Sequence, residues 1–151
     1  MFTQVRWFIK TGIAFLAAGL AVGLYMLVQR ELGGVFANPY LRSAHVHALF
    51  FGFVVFLILG VALWLFPRAA KGDTRYRPGW ISASYWVLTV ATALRFVAEA
   101  SRAWWGAEWL PWAVVVGGSG QVLGLAIYFY TMWTRIRPVG SQLREAQGER
   151  F

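Results

Sequence analysis

The sequence predicts an all-α integral membrane protein, a four-helix bundle with both termini in the cytoplasm (N-in/C-in). Three observations carry that prediction. The 151 residues are 59% hydrophobic and 13% charged, with a mean hydropathy of +0.56, whereas soluble domains run at about 45–50% apolar and about 25% charged. The apolar residues gather into four stretches close to the roughly 20 residues that a helix needs to cross the hydrocarbon core. All five prolines, Pro39, Pro67, Pro78, Pro111 and Pro138, fall between or just outside these stretches, where helices stop. The composition also excludes a disordered chain, and the absence of cysteine excludes a disulfide scaffold. A net charge of +8 does not signal nucleic acid here, because the cations sit in short gaps between apolar runs. The expected partner is the lipid bilayer.

The first span covers 7–28. Its apolar core exceeds the usual 7–15 or so residues of a signal peptide, and 36–38 offers a poor cleavage site, so a retained helix is expected. Gly12, Gly19 and Gly23 lie along it and include a Gly-xxx-Gly pair, a signal for close helix approach. The second span covers 45–66 and the third 80–98, which contains Arg95. The fourth, 112–133, carries Gly117, Gly118, Gly120 and Gly124, again a packing signal. Together they form a domain over 1–138. The polar tail, 139–151, is expected to be a mobile extension or a short surface helix.

Orientation follows from the basic residues. Ten lie at the N-terminus (Arg6, Lys10), in the second connection (Arg68, Lys71, Arg75, Arg77) and in the tail (Arg135, Arg137, Arg144, Arg150). Three lie in the first and third connections (Arg30, Arg42, Arg102). Ten against three places both termini in the cytoplasm, and the expected location is a bacterial or archaeal cytoplasmic (inner) membrane. Trp7, Trp64, Trp80 and Trp133 then form an inner aromatic belt, with Trp104, Trp105, Trp109 and Trp112 in an outer one.

The sequence offers few groups for chemistry. Its two histidines, His45 and His47, stand at the outer end of the second span. Ionisable residues inside a membrane are costly and mark function, and imidazole is both a common metal ligand and an axial ligand of haem. The competing reading makes both residues inert polar caps at the wet interface. Positions two apart on a helix point about 200° away from each other, so the pair cannot hold one iron from both sides and chelates one metal only if the helix start is unwound. His45 shares a face with Ala48, Leu49, Gly52, Phe56 and Gly60, which leaves room for another backbone or a flat macrocycle. His47 shares a bulkier face with Phe50, Phe51, Val54, Ile58 and Val61, suited to lipid or a porphyrin edge. His45 is therefore the preferred inward ligand and His47 the alternative. Arg95 and Glu99 are spaced for an i, i+4 pair. A haem propionate is an equally good partner for Arg95, and Arg42 stands at the same level.

Arg42-x-x-His45, followed by an apolar helix ending Trp64-Leu65-Phe66-Pro67-Arg68, resembles the second helix of the haem–copper oxidase catalytic subunit. The cbb3-type oxidases and nitric oxide reductases are its nearest versions. The fourth span, from Gly120-Gln121 through Tyr128-Phe129-Tyr130 to Trp133, is similar to a helix end of that family. The resemblance implies that His45, three residues after Arg42, is the axial ligand of a low-spin haem, with His47 as second candidate. It also implies what is missing. The family's catalytic subunit has twelve helices in three four-helix arcs and several more histidines for its active site, so a complete oxygen or nitric oxide reductase is not expected of this chain alone.

The predicted function is thus a membrane b-type haem protein resembling one such arc, for electron transfer or for binding NO, CO or O2. Arg42 and Arg95 are the expected propionate anchors. A homo-oligomer is expected, a trimer ahead of a dimer by analogy with the three arcs, with the glycine faces of helices one and four as contacts. A respiratory-chain partner is a further expectation. Two other classes compete: copper or zinc handling by His-x-His at the outer face, which lacks the Met or Cys ligands that copper(I) prefers, and a cofactor-free assembly subunit of a respiratory complex.

Overall fold

Four helices long and apolar enough to cross a membrane make up most of the computed structural model, which describes residues 3–69, 72–138 and 140–148. Helix α1 runs Thr3–Gly33, α2 Pro39–Leu65, α3 Pro78–Ser101 and α4 Leu110–Met132, the last continued by a 3-10 turn, Trp133–Arg135. A short helix, α5, Ser141–Ala146, follows in the tail. No strand occurs among the described residues. Lys71 and Arg150 of the charge count, Val139 and residues 149–151 lie outside the described residues.

Each helix is longer than the span predicted for it and starts earlier, because hydropathy marks only the apolar centre while the helix begins in its cap. Pro39 and Pro78 occupy the first turns of α2 and α3, where the missing N–H is no loss. The Asn38 side chain accepts the Tyr40 N–H at 2.9 Å and caps α2. Gly34, at φ 63°, turns the chain out of α1, and the Val35 N–H returns to the Gln29 carbonyl at 3.1 Å. The largest difference is at α2, which begins six residues before the predicted 45. Both histidines therefore lie more than one turn inside a helix whose start is wound.

The middle of α2, Ala48–Val55, is π-helical. Such segments bond i→i+5, are rare, and occur frequently at functional sites. Their wider turn breaks the 100° phase used to group the residues of this helix. Phe50, Val54, Ile58 and Val61 face outward as expected, but His47 does not share their direction.

Two glycine-lined seams hold the helices in pairs. Along α1–α2, a Cβ on Gly19 would lie 2.6 Å from Leu49 Cδ2, and one on Gly52 would lie 2.6 Å from Phe15 Cβ. Along α3–α4, a Cβ on Gly117 would lie 2.8 Å from Arg95 Cβ, and one on Gly120 would lie 2.7 Å from Ala91 Cβ. These faces are filled within the chain, which corrects the expectation that they meet other copies. The small face of α2 likewise receives the backbone of α1 along its length. The pairs join through a buried core that includes Phe8, Phe56, Leu59, Tyr85, Leu88 and Tyr128. Tyr128 Oη donates to the Leu59 carbonyl at 2.6 Å, Ser84 Oγ to the Gly124 carbonyl at 2.8 Å, and Tyr85 Oη is bonded to Thr11 Oγ1 at 2.7 Å, so these three hydroxyls are satisfied within the bundle, as lipid surroundings favour.

The end that carries the termini is tied by Arg135. This side chain is 4% exposed. Its Nε donates to the Pro67 carbonyl at 2.8 Å, and Nη2 donates to Leu63 and Phe66 at 3.0 and 2.9 Å. It thereby satisfies the final carbonyls of α2. Beside it, Thr134 Oγ1 donates to Asp73, and this bond holds the Asp73 carboxyl below the usual carboxylate range, helped by the Arg75 and Tyr76 N–H groups and opposed by burial. The eight tryptophans assigned to the two belts are all exposed at the two ends of the bundle.

The α3–α4 seam yields a test. A Cβ at Gly124 would lie 2.6 Å from Leu88 Cγ and 3.3 Å from the Leu88 backbone nitrogen. Gly124→Val is expected to lose about 1–3 kcal/mol through overpacking, measured as earlier unfolding in a detergent-denaturant titration.

Candidate functional site

The end opposite the termini holds both histidines, on different sides of α2. His45 turns toward α1. Its Nδ1 lies 2.8 Å from the Gly19 carbonyl, a pure acceptor, so Nδ1 carries a proton, and in the neutral imidazole the lone pair is on Nε2. The imidazole rests against Gly23, where a Cβ would lie 2.6 Å from His45 Cε1. Only a glycine admits the ring there. Beyond it opens a cleft of about 350 Å³ lined by His45, Arg42, Arg30, Met26 and Phe36. Met26 and Phe36 also line a neighbouring cleft of about 340 Å³, which runs on to Tyr25 and Trp104. Arg30 is paired with Glu31 at 2.6 Å on the exposed rim.

His47 turns toward α3 instead. Its Nδ1 lies 2.9 Å from the Ser43 carbonyl, 3.2 Å from Ser43 Oγ and 3.1 Å from Glu99 Oε2. Two of these neighbours are pure acceptors, so this ring too carries a proton at Nδ1. Glu99 is 3% exposed. Its Oε1 accepts from Arg95 Nε at 3.0 Å, and Arg95 Nη1 donates to Gln121 Oε1 at 3.0 Å. Gln121 Nε2 closes the row on Thr92 Oγ1 at 3.2 Å. A buried carboxylate persists only when paired and hydrogen-bonded, and this row supplies both conditions. The i, i+4 pair expected for Arg95 and Glu99 is present.

Arg102 stacks over Tyr40, with Cζ 3.9 Å from the ring centroid, and donates to Tyr40 Oη at 2.9 Å. That contact fastens the start of α2 to the end of α3.

The four residues singled out in the sequence thus separate into two sets: His45 with Arg42 in the α1-side cleft, and His47 with Arg95 in the α3-side network. Because the two imidazoles face different helices, they cannot chelate one metal. Among the described residues, no group of three or more His, Asp or Glu is placed to hold a metal ion. Sequence reasoning missed the Gly19 carbonyl, Met26, Gln121 and Thr92. Of these, Gln121 carried a signal, a lone carboxamide in an otherwise apolar span.

Four spanning helices, with imidazoles held inside one end by glycine seams and buried charge pairs, define a multi-pass helical membrane protein with ligand-capable histidines. A family model described as cytochrome c and quinol oxidase polypeptide I matches residues 3–145, and the chain belongs to that family, the haem–copper oxidase subunit I. Proteins of this family bind haem and copper. Comparisons with curated proteins and with solved structures found no match.

Gln121 gives the test of the network. Gln121→Leu leaves Arg95 without one acceptor and Thr92 without its donor. The expected cost is about 1–3 kcal/mol, read as a lower melting temperature with unchanged membrane insertion.

Proposed function

We propose that this chain is a b-type haem protein of the membrane, built like one four-helix arc of the oxidase subunit and suited to single-electron transfer or diatomic gas binding. The observation that carries the proposal is the state of His45. Its Nδ1–H is committed to Gly19, its Nε2 is basic, and its ring borders a cleft that also holds Arg42. Metal-ligating histidines are characteristically oriented in this way, with the second nitrogen donating to a carbonyl. Gly23 supplies a flat wall, Phe36 and Met26 supply apolar contact, and Arg42 is the anchor for a propionate. These residues fit a haem b held without thioether bonds, since the chain has no cysteine. Bound haem iron would supply one-electron or gas-binding chemistry.

His45 and Arg42 are the preferred set, and His47 with Arg95 the alternative. In the preferred set Arg95 serves Glu99 and Gln121. In the alternative, a propionate takes a place beside Arg95. Copper handling is a weaker reading, because the imidazoles diverge. A second axial ligand from another copy or from a respiratory partner would favour electron transfer, and an open position would favour gas binding. We place the protein in a bacterial or archaeal cytoplasmic membrane, as a homo-oligomer with a trimer ahead of a dimer. With the glycine seams filled, contacts between copies must use other faces.

The visible spectrum of the purified protein is the test. A Soret band that shifts on dithionite reduction, with pigment extractable by acidified acetone, is expected. His45→Ala should lose most of that band and His47→Ala should retain it. The reverse ranking would transfer the ligand to His47, and a colourless protein would leave the assembly-subunit reading.

A further inference from the structure

At the end that carries the termini, a cleft of about 390 Å³ opens between α1, α2 and the start of α3. Its polar lining is Gln4, Arg68, Tyr76 and Arg135, and its apolar lining includes Leu63 and Ala69. Arg135 is the unusual member, because no carboxylate among the described residues pairs with this buried guanidinium. Its partners are three carbonyls at the end of α2 and the face of Tyr76, with Cζ 4.7 Å from the ring centroid. A helix C-terminus offsets only about half an elementary charge. Among the described residues Nη1 has a single acceptor, the Met132 thioether at 3.5 Å, and thioether sulfur is a weak one. A second cation, Arg68, lines the same cleft.

We infer that this cleft holds the phosphate of an anionic phospholipid, with Arg135 and Arg68 facing the phosphate and Leu63 and Ala69 against the first methylenes of the chains. Two observations and one general precedent support a lipid over free phosphate. The lining is amphipathic rather than wholly polar. The exposed Trp7, Trp64, Trp80 and Trp133 of the same end mark headgroup depth. Basic pockets between spanning helices are a recurrent site for such headgroups. Binding would draw α1 toward the end of α2 and the turn after α4, the two elements that Arg135 already joins.

The test uses the full chain in mild detergent, melted with added phosphatidylglycerol, phosphatidylcholine or inorganic phosphate, with bound lipid counted by native mass spectrometry. Phosphatidylglycerol should raise the melting temperature and remain as a one-per-chain adduct, while the other two should do neither. Arg68→Gln should weaken the effect about fivefold, and Ala69→Trp, which fills the cleft without changing charge, should abolish it. Arg135 itself is left intact because it caps α2. Equal stabilisation by phosphatidylcholine, an equal effect of inorganic phosphate, or an undiminished effect in both variants would each overturn the proposal.

Discussion

The hydrogen bond between His45 Nδ1 and the Gly19 carbonyl, 2.8 Å long, is the contact on which the rest of the proposed site depends. Helical carbonyls are normally committed to their own helix. One can accept a further bond only when a donor from a neighbouring helix comes very close. Gly19 and Gly23 make that approach possible, since a Cβ on either would collide with α2 at 2.6 Å. The glycine seam is therefore a packing device with a chemical consequence. It fixes the tautomer and the direction of an imidazole inside an apolar helix pair, and so leaves Nε2 at the cleft.

The other side of α2 is organised by charge. His47, Glu99, Arg95, Gln121 and Thr92 form one bonded row across α2, α3 and α4. In surroundings without water to solvate a lone ion, such a row stands or falls as a unit. It steadies α2 from the side opposite α1, and Arg102 on Tyr40 holds the start of the same helix. At the far end Arg135 closes α2 through its last carbonyls. Helix α2 is thus gripped at both ends and on two sides, and its π-helical middle lies between these grips.

Much of this was legible in the sequence. Spans and prolines follow from bilayer thickness and backbone chemistry, so the element order came out as read. The glycines were legible as close-packing sites, but not their partners, because which small face meets which helix is decided by tertiary fit. The start of α2 lies earlier than hydropathy indicates because Tyr40, Arg42 and Ser43 lower the local hydropathy without stopping a helix that Asn38 caps. The π segment 48–55 contains no proline and leaves no periodicity signal, so the direction of His47 was out of reach. Arg135 counted only as a topology charge, since a side chain that caps a helix nearly seventy positions earlier has no local pattern. Of the site residues, His45 and Arg42 share a cleft and Arg95 pairs with Glu99, yet the division into two sets required the coordinates.

The central claim is that His45 supplies the haem ligand. Imidazole rescue tests it most directly. A His45→Gly variant leaves a hole of the ligand's own shape beside Gly23, and free imidazole added to that variant should restore the Soret band and its shift on reduction. If imidazole restores nothing in His45→Gly but does restore the band in His47→Gly, the ligand lies on the α3 side and the account given for α1 is wrong.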